Sequence, residues 1–293
     1  MKKTKGQIIF AVFNYVFLIL TALLCMAPII NILAKSFSVG YAVEAGLVGF
    51  VPVEFTLNAY KNIITNAKFI RAMLVSFERV ALGLVVNLFL IMISAYPLSK
   101  SKHVFPARQK YIWVYIVCMM FGGGLIPTYM VVKMTGIMNT IWALILPGAV
   151  QSFNIILMMN FFKGIPRELE ESAFIDGAKH FKILWSIFIP LSKPAIATIV
   201  LFISVGHWNS WFDGLLYMNS PEKYPLQSYL QTVIITKNLA LISNAGMLDI
   251  SQTISEGNNR AAQIFLAMIP ILMVYPFLQK HFAKGIMLGS VKG

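Results

Sequence analysis

Six runs of mostly apolar residues, each about twenty long, set the strongest limit on how this chain can fold. They lie at roughly 8–33, 72–98, 111–132, 141–162, 194–216 and 261–278. A helix needs about twenty apolar residues to cross a bilayer. The chain is 58% hydrophobic and only 12% charged, about half the charged fraction of a soluble domain. The sequence therefore predicts an all-α membrane protein, with one domain over residues 1–293 and six membrane-spanning helices.

Basic residues in the loops predict the orientation of these helices. With a cytoplasmic N-terminus, fifteen Lys or Arg residues fall in the inner segments and eight in the outer segments, which are longer in total. The positive-inside rule then places both termini in the cytoplasm. Although the net charge is +13, the cations flank the spans instead of forming a stripe on one face. We therefore expect contact with anionic lipid headgroups and not with nucleic acid.

The sequence offers little support for a catalytic or metal-binding site within this chain. Cys25 and Cys118 lie far apart in two different apolar runs, and the four histidines are scattered without ligand spacing, so no metal site is expected. The chain contains no G-x-x-x-x-G-K-[ST] loop, so it is not expected to bind or hydrolyse ATP. The apolar run from Ile8 is too long for a typical signal peptide, and we expect the first span to be retained. We predict no catalytic residue, no metal and no cofactor in this chain.

A polar stretch, 163–193, separates the fourth and fifth apolar runs. Pro166 suits the first turn of a helix, and the acidic residues that follow it favour the positive end of the helix dipole. Gly177 is the usual residue for a helix stop. A second amphipathic helix is predicted from apolar residues at i, i+3, i+4 and i+7, namely Phe181, Leu184, Trp185 and Phe188. Such helices either lie solvated on the membrane surface or dock against another protein.

The residues of this stretch favour docking, because they resemble the EAA signature of ABC-importer permeases. The positions that match it and are candidates for coupling to an ATPase are Glu171, Ser172, Ala173, Asp176, Gly177 and Pro190. Ser172 replaces an alanine of the signature and Ile189 a leucine. The longer string around these positions is similar to the carbohydrate-uptake, or maltose-type, permeases. The strings at 122–129, 139–150 and 206–219 are most similar to permeases for alginate and pectin-derived oligosaccharides.

This resemblance implies a fold, a function and a set of partners. The fold would be the six-helix permease of type I ABC importers, in a bacterial cytoplasmic membrane. The chain would pair with a second permease subunit and receive oligosaccharides, including uronate-containing ones, from an extracytoplasmic solute-binding protein that touches the outer loop 217–260. A separate ATPase dimer, which binds ATP and Mg²⁺, would dock on the EAA loop. The tail 285–293 resembles the family's C-terminus, which reaches into that dimer.

Two adjacent charges in the second apolar run are candidates for contact with a transported solute. Glu78 and Arg79 lie about two helical turns inside the run. Ionisable residues are costly there and usually face a bundle interior or water. The alternative is that they snorkel to the outer interface. Arg79 is a candidate cation for a uronate.

The end of the fifth run carries a second set of candidates, which are Trp208, Asn209, Trp211 and Asp213. Paired tryptophans usually anchor a helix at the membrane interface. Indole faces beside amide and carboxylate groups also suit a sugar, however, because they cover its C–H face and satisfy its hydroxyls. The Trp208-Asn209 pair is similar to the maltose-type family at this position, which implies a place near the outer half of the pathway.

Glycines and prolines within the third and fourth runs predict local breaks or close helix approach. They are the run 122–124, Pro127, Pro147 and Gly148, and they are followed by polar Gln151, Asn154 and Asn160.

Three other functions fit parts of the sequence less well. A permease for another solute class would also carry an EAA loop. A secondary transporter would usually show internal repeats, and none is visible. A membrane-embedded enzyme would need clustered histidines or paired carboxylates in the spans, where Glu78 is the only acid well inside.

Overall fold

The computed structural model describes residues 4–242 and 257–274, and over these ranges the regular structure is entirely helical. The α-helices are α1 (Lys5–Ser36), α2 (Gly40–Glu44), α3 (Asn58–Thr65), α4 (Ala67–Ser99), α5 (Arg108–Met120), α6 (Leu125–Met134), α7 (Ile141–Ile145), α8 (Ser152–Lys163), α9 (Arg167–Ile175), α10 (His180–Ile183), α11 (Ile189–Leu191), α12 (Lys193–Asn209), α13 (Phe212–Tyr217), α14 (Leu226–Ile242) and α15 (257–274). Short 3₁₀ turns follow α7 and precede α14, at Leu146–Gly148 and Pro221–Lys223, and a π-helical segment, Leu184–Phe188, joins α10 to α11.

The described residues divide into two compact units, and the first comprises 4–70, 230–242 and 257–269. Its helix α1 begins with a capping box, in which Thr4 and Gln7 exchange backbone and side-chain hydrogen bonds of 3.0 and 3.4 Å. The most apolar eighteen-residue part of α1 has a mean hydropathy of 2.6, and none of its residues is buried within the chain. Such a helix is suited to face lipid or another membrane subunit.

The segment after α1 is fixed mainly by polar contacts within the first unit. The Asn31 amide donates to the Val48 and Gly49 carbonyls at 3.2 and 2.6 Å. The Ser38 hydroxyl accepts from the Val53 amide at 3.0 Å, and Asn258 donates to the Ser38 carbonyl at 3.1 Å. These bonds hold an irregular segment in a defined path.

Among the described residues, the second unit comprises 71–229 and 270–274, and its core is a continuous cluster of buried apolar side chains. The cluster includes Ile91 of α4, Ile155 and Phe162 of α8, Phe188, and Ile199 of α12, each at most 3% exposed. Because lipid tails are as apolar as these side chains, close packing holds such helices together. Gly83 shows how close α4 and α12 come, because a Cβ there would overlap the His207 imidazole.

Two of the predicted spans are broken, at the glycines and prolines that the sequence singled out. Residues 121–124 separate α5 from α6, which are bent by 113°. The fourth run is bent by 54° between the 3₁₀ turn at Pro147 and α8. The second run matches α4, and the fifth is divided between α12 and α13.

The predicted amphipathic face at 181–188 is wrong in its register. Leu184 and Phe188 are buried, but Phe181 and Trp185 are 61% and 48% exposed. The residue that is buried together with Leu184 and Phe188 is instead Ile183. The π-helical segment Leu184–Phe188 accounts for the difference, since its wider turn breaks the 3.6-residue period.

Parts of two predicted features lie outside the described residues. They are the end of the sixth span with the tail 285–293, and most of the polar second half of the outer loop 217–260.

Candidate functional site

The polar stretch 163–193 folds into a short helix with a defined stop. Helix α9 runs over Arg167–Ile175, and Gly177 follows it with φ +78°. The Gly177 amide donates to the Phe174 carbonyl at 3.0 Å, and the Ala178 amide donates to the Ala173 carbonyl at 2.9 Å. This pair of bonds around a left-handed residue is a Schellman motif. The predicted stop at Gly177 is confirmed, and the glycine reverses the chain without steric cost.

The residues that match the EAA signature lie mostly on the outside of this loop. Ala173 is half-buried, and the exposed residues among them are Glu171, Ser172, Asp176, Gly177 and Pro190. Large apolar side chains are exposed beside them, with Ile175 at 87% and Phe181 at 61%. A contiguous patch of exposed apolar side chains with polar residues beside it is typical of a surface that binds another protein.

The inner side of α9 carries an ion pair that the sequence did not reveal. The Lys100 ammonium lies 2.6 Å from Oε1 of Glu170, and their side chains are only 8% and 15% exposed. The Tyr96 hydroxyl also donates to Glu170, at 3.1 Å, and lies 3.2 Å from Nδ1 of His180. This network connects the end of α4 directly to α9 and to α10.

Aromatic rings enclose the Lys100 ammonium. It lies 3.7 Å from the centroid of the Tyr96 ring and 4.1 Å from that of Phe188, within cation–π range. Burial lowers the pKa of the Lys100 ammonium, and the Glu170 carboxylate acts in the opposite direction. The carboxylate and the two rings therefore replace the water that this cation has lost.

A second polar cluster lies among α4, α7 and the α12–α13 connection. The Arg79 guanidinium is 3% exposed and makes a bidentate ion pair with Asp213, one bond of which is 3.2 Å. It also donates to the carbonyls of Leu144, at 3.2 Å, and Ser210, at 3.4 Å. The Ser210 hydroxyl and the Gly214 amide donate to Asp213 at 2.8 and 2.9 Å. The buried pair is thus well supplied with hydrogen bonds, as a charge in such a place requires.

His207 extends this cluster along α12. The Arg79 Nε lies 3.4 Å from Nδ1 of His207, and the Asn87 amide lies 3.1 Å from its Nε2. Because arginine can only donate, Nδ1 of His207 is the acceptor in its contact with Arg79. Neither His207 nor Asn87 was among the candidate residues. Their spacing along separate spans gave no local signal.

The other path candidates are dispersed. Glu78 is exposed, on a different side of α4 from Arg79. Trp208 is 4% exposed and meets the Phe77 ring edge-on at 5.2 Å. Asn209 is exposed, and Trp211 is 40% exposed and packs against Phe212 at 5.6 Å. Of the six, Arg79 and Asp213 are joined by an ion pair, and the role of all six stays a prediction.

An open cavity of about 480 Å³ lies where the fourth span is broken. Its polar lining includes Gln151 and Asn154, beside the rings of Phe153 and Phe202. Irregular backbone at membrane depth is tolerated where it lines a cavity, which is the situation predicted for this break.

Comparison with known proteins identifies the family. Residues 72–288 match the family model described as "Binding-protein-dependent transport system inner membrane component". The chain is a member of this permease family. The permease is 44% identical to Protein LplC of Bacillus subtilis (strain 168), over 100% of this chain and 98% of that protein. It is 41% identical to the polygalacturonan/rhamnogalacturonan transport system permease protein YtcP of the same strain, over 97% and 99%.

A solved structure gives the same fold. The permease matches a chain in the crystal structure of a bacterial ABC transporter involved in the import of the acidic polysaccharide alginate. The TM-score is 0.86 and the sequence identity 31%, over 96% of this chain and 99% of that chain. The predicted all-α class and the resemblance to type I ABC-importer permeases are therefore confirmed.

Proposed function

We propose that this permease is one of two membrane subunits of an ATP-driven importer for oligosaccharides, with uronate-containing fragments as the favoured substrates. The observation that carries the coupling role is the geometry of α9. The helix is closed by a Schellman motif at Gly177 and presents Glu171, Ser172 and Asp176 to solvent. A separate ATPase dimer would bind this face in the cytoplasm, with both termini of the permease on that side.

The mechanism follows from what this chain's residues can do. Glu171 would pair with a basic residue of the ATPase, and the ATPase would also cover the apolar surface at Ile175. Movement of the docked α9 would be transmitted to α4 through the Lys100–Glu170 pair, since the two are in direct contact at 2.6 Å. Hydrolysis of ATP belongs to the partner, and this chain supplies coupling and part of the path.

The substrate class is supported by the relatives. YtcP is named for polygalacturonan and rhamnogalacturonan, and the structural neighbour imports alginate, so both act on acidic polysaccharides. An extracytoplasmic solute-binding protein would deliver the fragments. Asp213 neutralises Arg79 in this conformation, so Arg79 would reach a uronate only if that pair opened.

The coupling role is tested by charge reversal on α9. We expect Glu171→Lys to release the ATPase on co-purification or to separate its ATP hydrolysis from uptake. Gly177→Pro should do the same, since proline cannot adopt φ +78°. The matched control is Glu168→Lys, which makes the same charge change at an exposed position of the same helix. A permease that purifies alone and transports normally with both substitutions would contradict the proposal.

The substrate class is tested separately in the assembled importer with its binding protein. Oligogalacturonates and oligoalginates should stimulate ATP hydrolysis, whereas neutral maltodextrins of the same length should not. Stimulation by the neutral sugars alone would leave the coupling role standing and remove the uronate assignment.

A further inference from the structure

A cationic cavity of about 450 Å³ lies between α9 and the ends of α4, α5 and α8. Its volume falls in the range of small-molecule pockets, about 300–1,000 Å³. Four cations and two carboxylates line it, and they are Lys100, Arg108, Lys163, Arg167, Glu170 and Glu171. Because Lys100 and Glu170 neutralise each other at 2.6 Å, three cations remain against Glu171 alone.

These three cations come from separate elements, so local sequence does not explain why they meet. Arg108 begins α5, Lys163 ends α8 and Arg167 begins α9. The Arg108 Nε donates to the Leu98 carbonyl at 2.6 Å, which fixes the side chain. Among the described residues its terminal Nη groups have no acceptor. A fixed guanidinium with free donors suits a phosphate group, which arginine binds through two parallel hydrogen bonds.

The lining is also apolar, and it lies where three of the predicted apolar runs begin or end. Val104, Phe162 and Ile165 contribute to it. The helices that end there, α4 and α8, are the continuations of the second and fourth apolar runs, and α5 begins the third. A phosphate bound there would therefore lie at headgroup depth, with apolar surface available to the glycerol and the start of the acyl chains.

We propose that this cavity binds the phosphodiester headgroup of an anionic phospholipid from the cytoplasmic leaflet. The assignment of the leaflet rests on the orientation given under the proposed function. Basic pockets between membrane helices on that side are suited to anionic headgroups. The lipid would lie directly behind α9, so its binding would stiffen the helix on which the ATPase docks.

The test uses the full importer complex in nanodiscs of phosphatidylcholine with or without phosphatidylglycerol. Native mass spectrometry after mild detergent extraction would count retained phosphatidylglycerol. We expect Arg108→Gln/Lys163→Gln to reduce retention by at least about tenfold, because each cation near an anionic surface contributes about fivefold. The matched control is Lys110→Gln, an exposed lysine on α5 outside the cavity, which should retain the wild-type level.

Three results would overturn the proposal. Equal retention in the wild type and the double variant would show that the cavity does not hold the lipid. Displacement of phosphatidylglycerol by millimolar inorganic phosphate would make this a free-anion site. Loss of the ATPase subunit with the lipid still retained would show that the cavity binds an acidic part of the ATPase instead.

The single variant Lys163→Gln keeps the test decisive if the double variant does not fold, because Lys163 is exposed. It should lower retention by several-fold, and unchanged retention would again contradict the proposal. The lipid readout does not depend on transport. An importer that retains the lipid at these residues but takes up no sugar would therefore contradict the proposed function and leave the lipid site standing.

Discussion

Arg79 and Lys100 are the cations that α4 and its end place in the protein interior, and they are held in different ways. Arg79 is bound by a bidentate carboxylate, two backbone carbonyls and a histidine. Lys100 has one carboxylate oxygen at 2.6 Å and two aromatic rings. The guanidinium is fixed in one orientation by planar geometry, whereas the ammonium is a point charge on a flexible stem.

The difference corresponds to where each pair lies. The Arg79–Asp213 pair joins α4 to α13, and both residues lie within predicted apolar runs, where an unpaired charge is very costly. The Lys100–Glu170 pair joins the end of a span to the helix on which we propose the ATPase docks. A contact that can shift without losing its partners suits the second place, and a fixed one suits the first.

The largest effect should follow from removal of Arg79. Arg79→Met leaves the Asp213 carboxylate, whose side chain is 22% exposed, without its main partner. Breaking a buried pair costs about 3–5 kcal/mol, and we take this as the upper limit here. Thermal unfolding of the detergent-purified complex should show a large loss of stability. Arg71→Met, at an exposed position of the same helix, should change it little.

A paired substitution sharpens this result. In Arg79→Met/Asp213→Leu no charge remains unpaired, so the double variant should be more stable than either single variant. If the double variant were as unstable as the sum of the two, the pair would not be the source of the effect.

An intermediate effect is expected from Glu170→Gln. The change removes the charge that faces Lys100 but keeps the hydrogen-bond acceptor, so we expect a loss of about 1.5–3 kcal/mol. Uptake should fall relative to ATP hydrolysis, because α9 is then held less firmly to α4. Glu168→Gln is the control on the exposed side of α9, and equal behaviour of the two variants would remove the distinction between the inner and outer faces.

The smallest effect should come from Gly177→Ala. An L-residue in the left-handed region costs about 1–2 kcal/mol, and this glycine has φ +78°. The matched control is Gly206→Ala, within the regular helix α12, where an added Cβ would meet nothing within 4 Å. Hydrogen exchange should increase in α9 for the first variant only, with the cores around Ile155 unaffected. Equal exchange in both would show that the stop does not depend on the glycine.

The sequence predicts features that depend on neighbouring residues better than those that depend on distant ones. The stop at Gly177 was predictable, because a left-handed residue after a helix has a strong local signature. The contact between Lys100 and Glu170 was not, since seventy positions separate them and each alone resembles a solvated charge. The breaks at 121–124 and near Pro147 were indicated by glycine and proline, but hydropathy alone does not give their angles.

The register of 181–188 shows a different reason for failure. Apolar residues there do follow the 3.6-residue period, which predicts a single face through Phe181 and Trp185. The π-helical segment rotates that face, and both side chains are exposed. Periodicity therefore identified a helix but not the side that is buried.

The exposure of Ile175 has a consequence for how the cell must produce this permease. If α9 docks on an ATPase in the cytoplasm, as we propose, a subunit made without that partner would present Ile175, Phe181 and Trp185 to the cytoplasm. Apolar surface exposed in this way promotes aggregation. An unassembled copy should therefore be short-lived, as a substrate for chaperones and membrane proteases. The cell would therefore need to synthesise the permease and its ATPase in balanced amounts, because the exposed apolar surface of the permease is covered only in the complex.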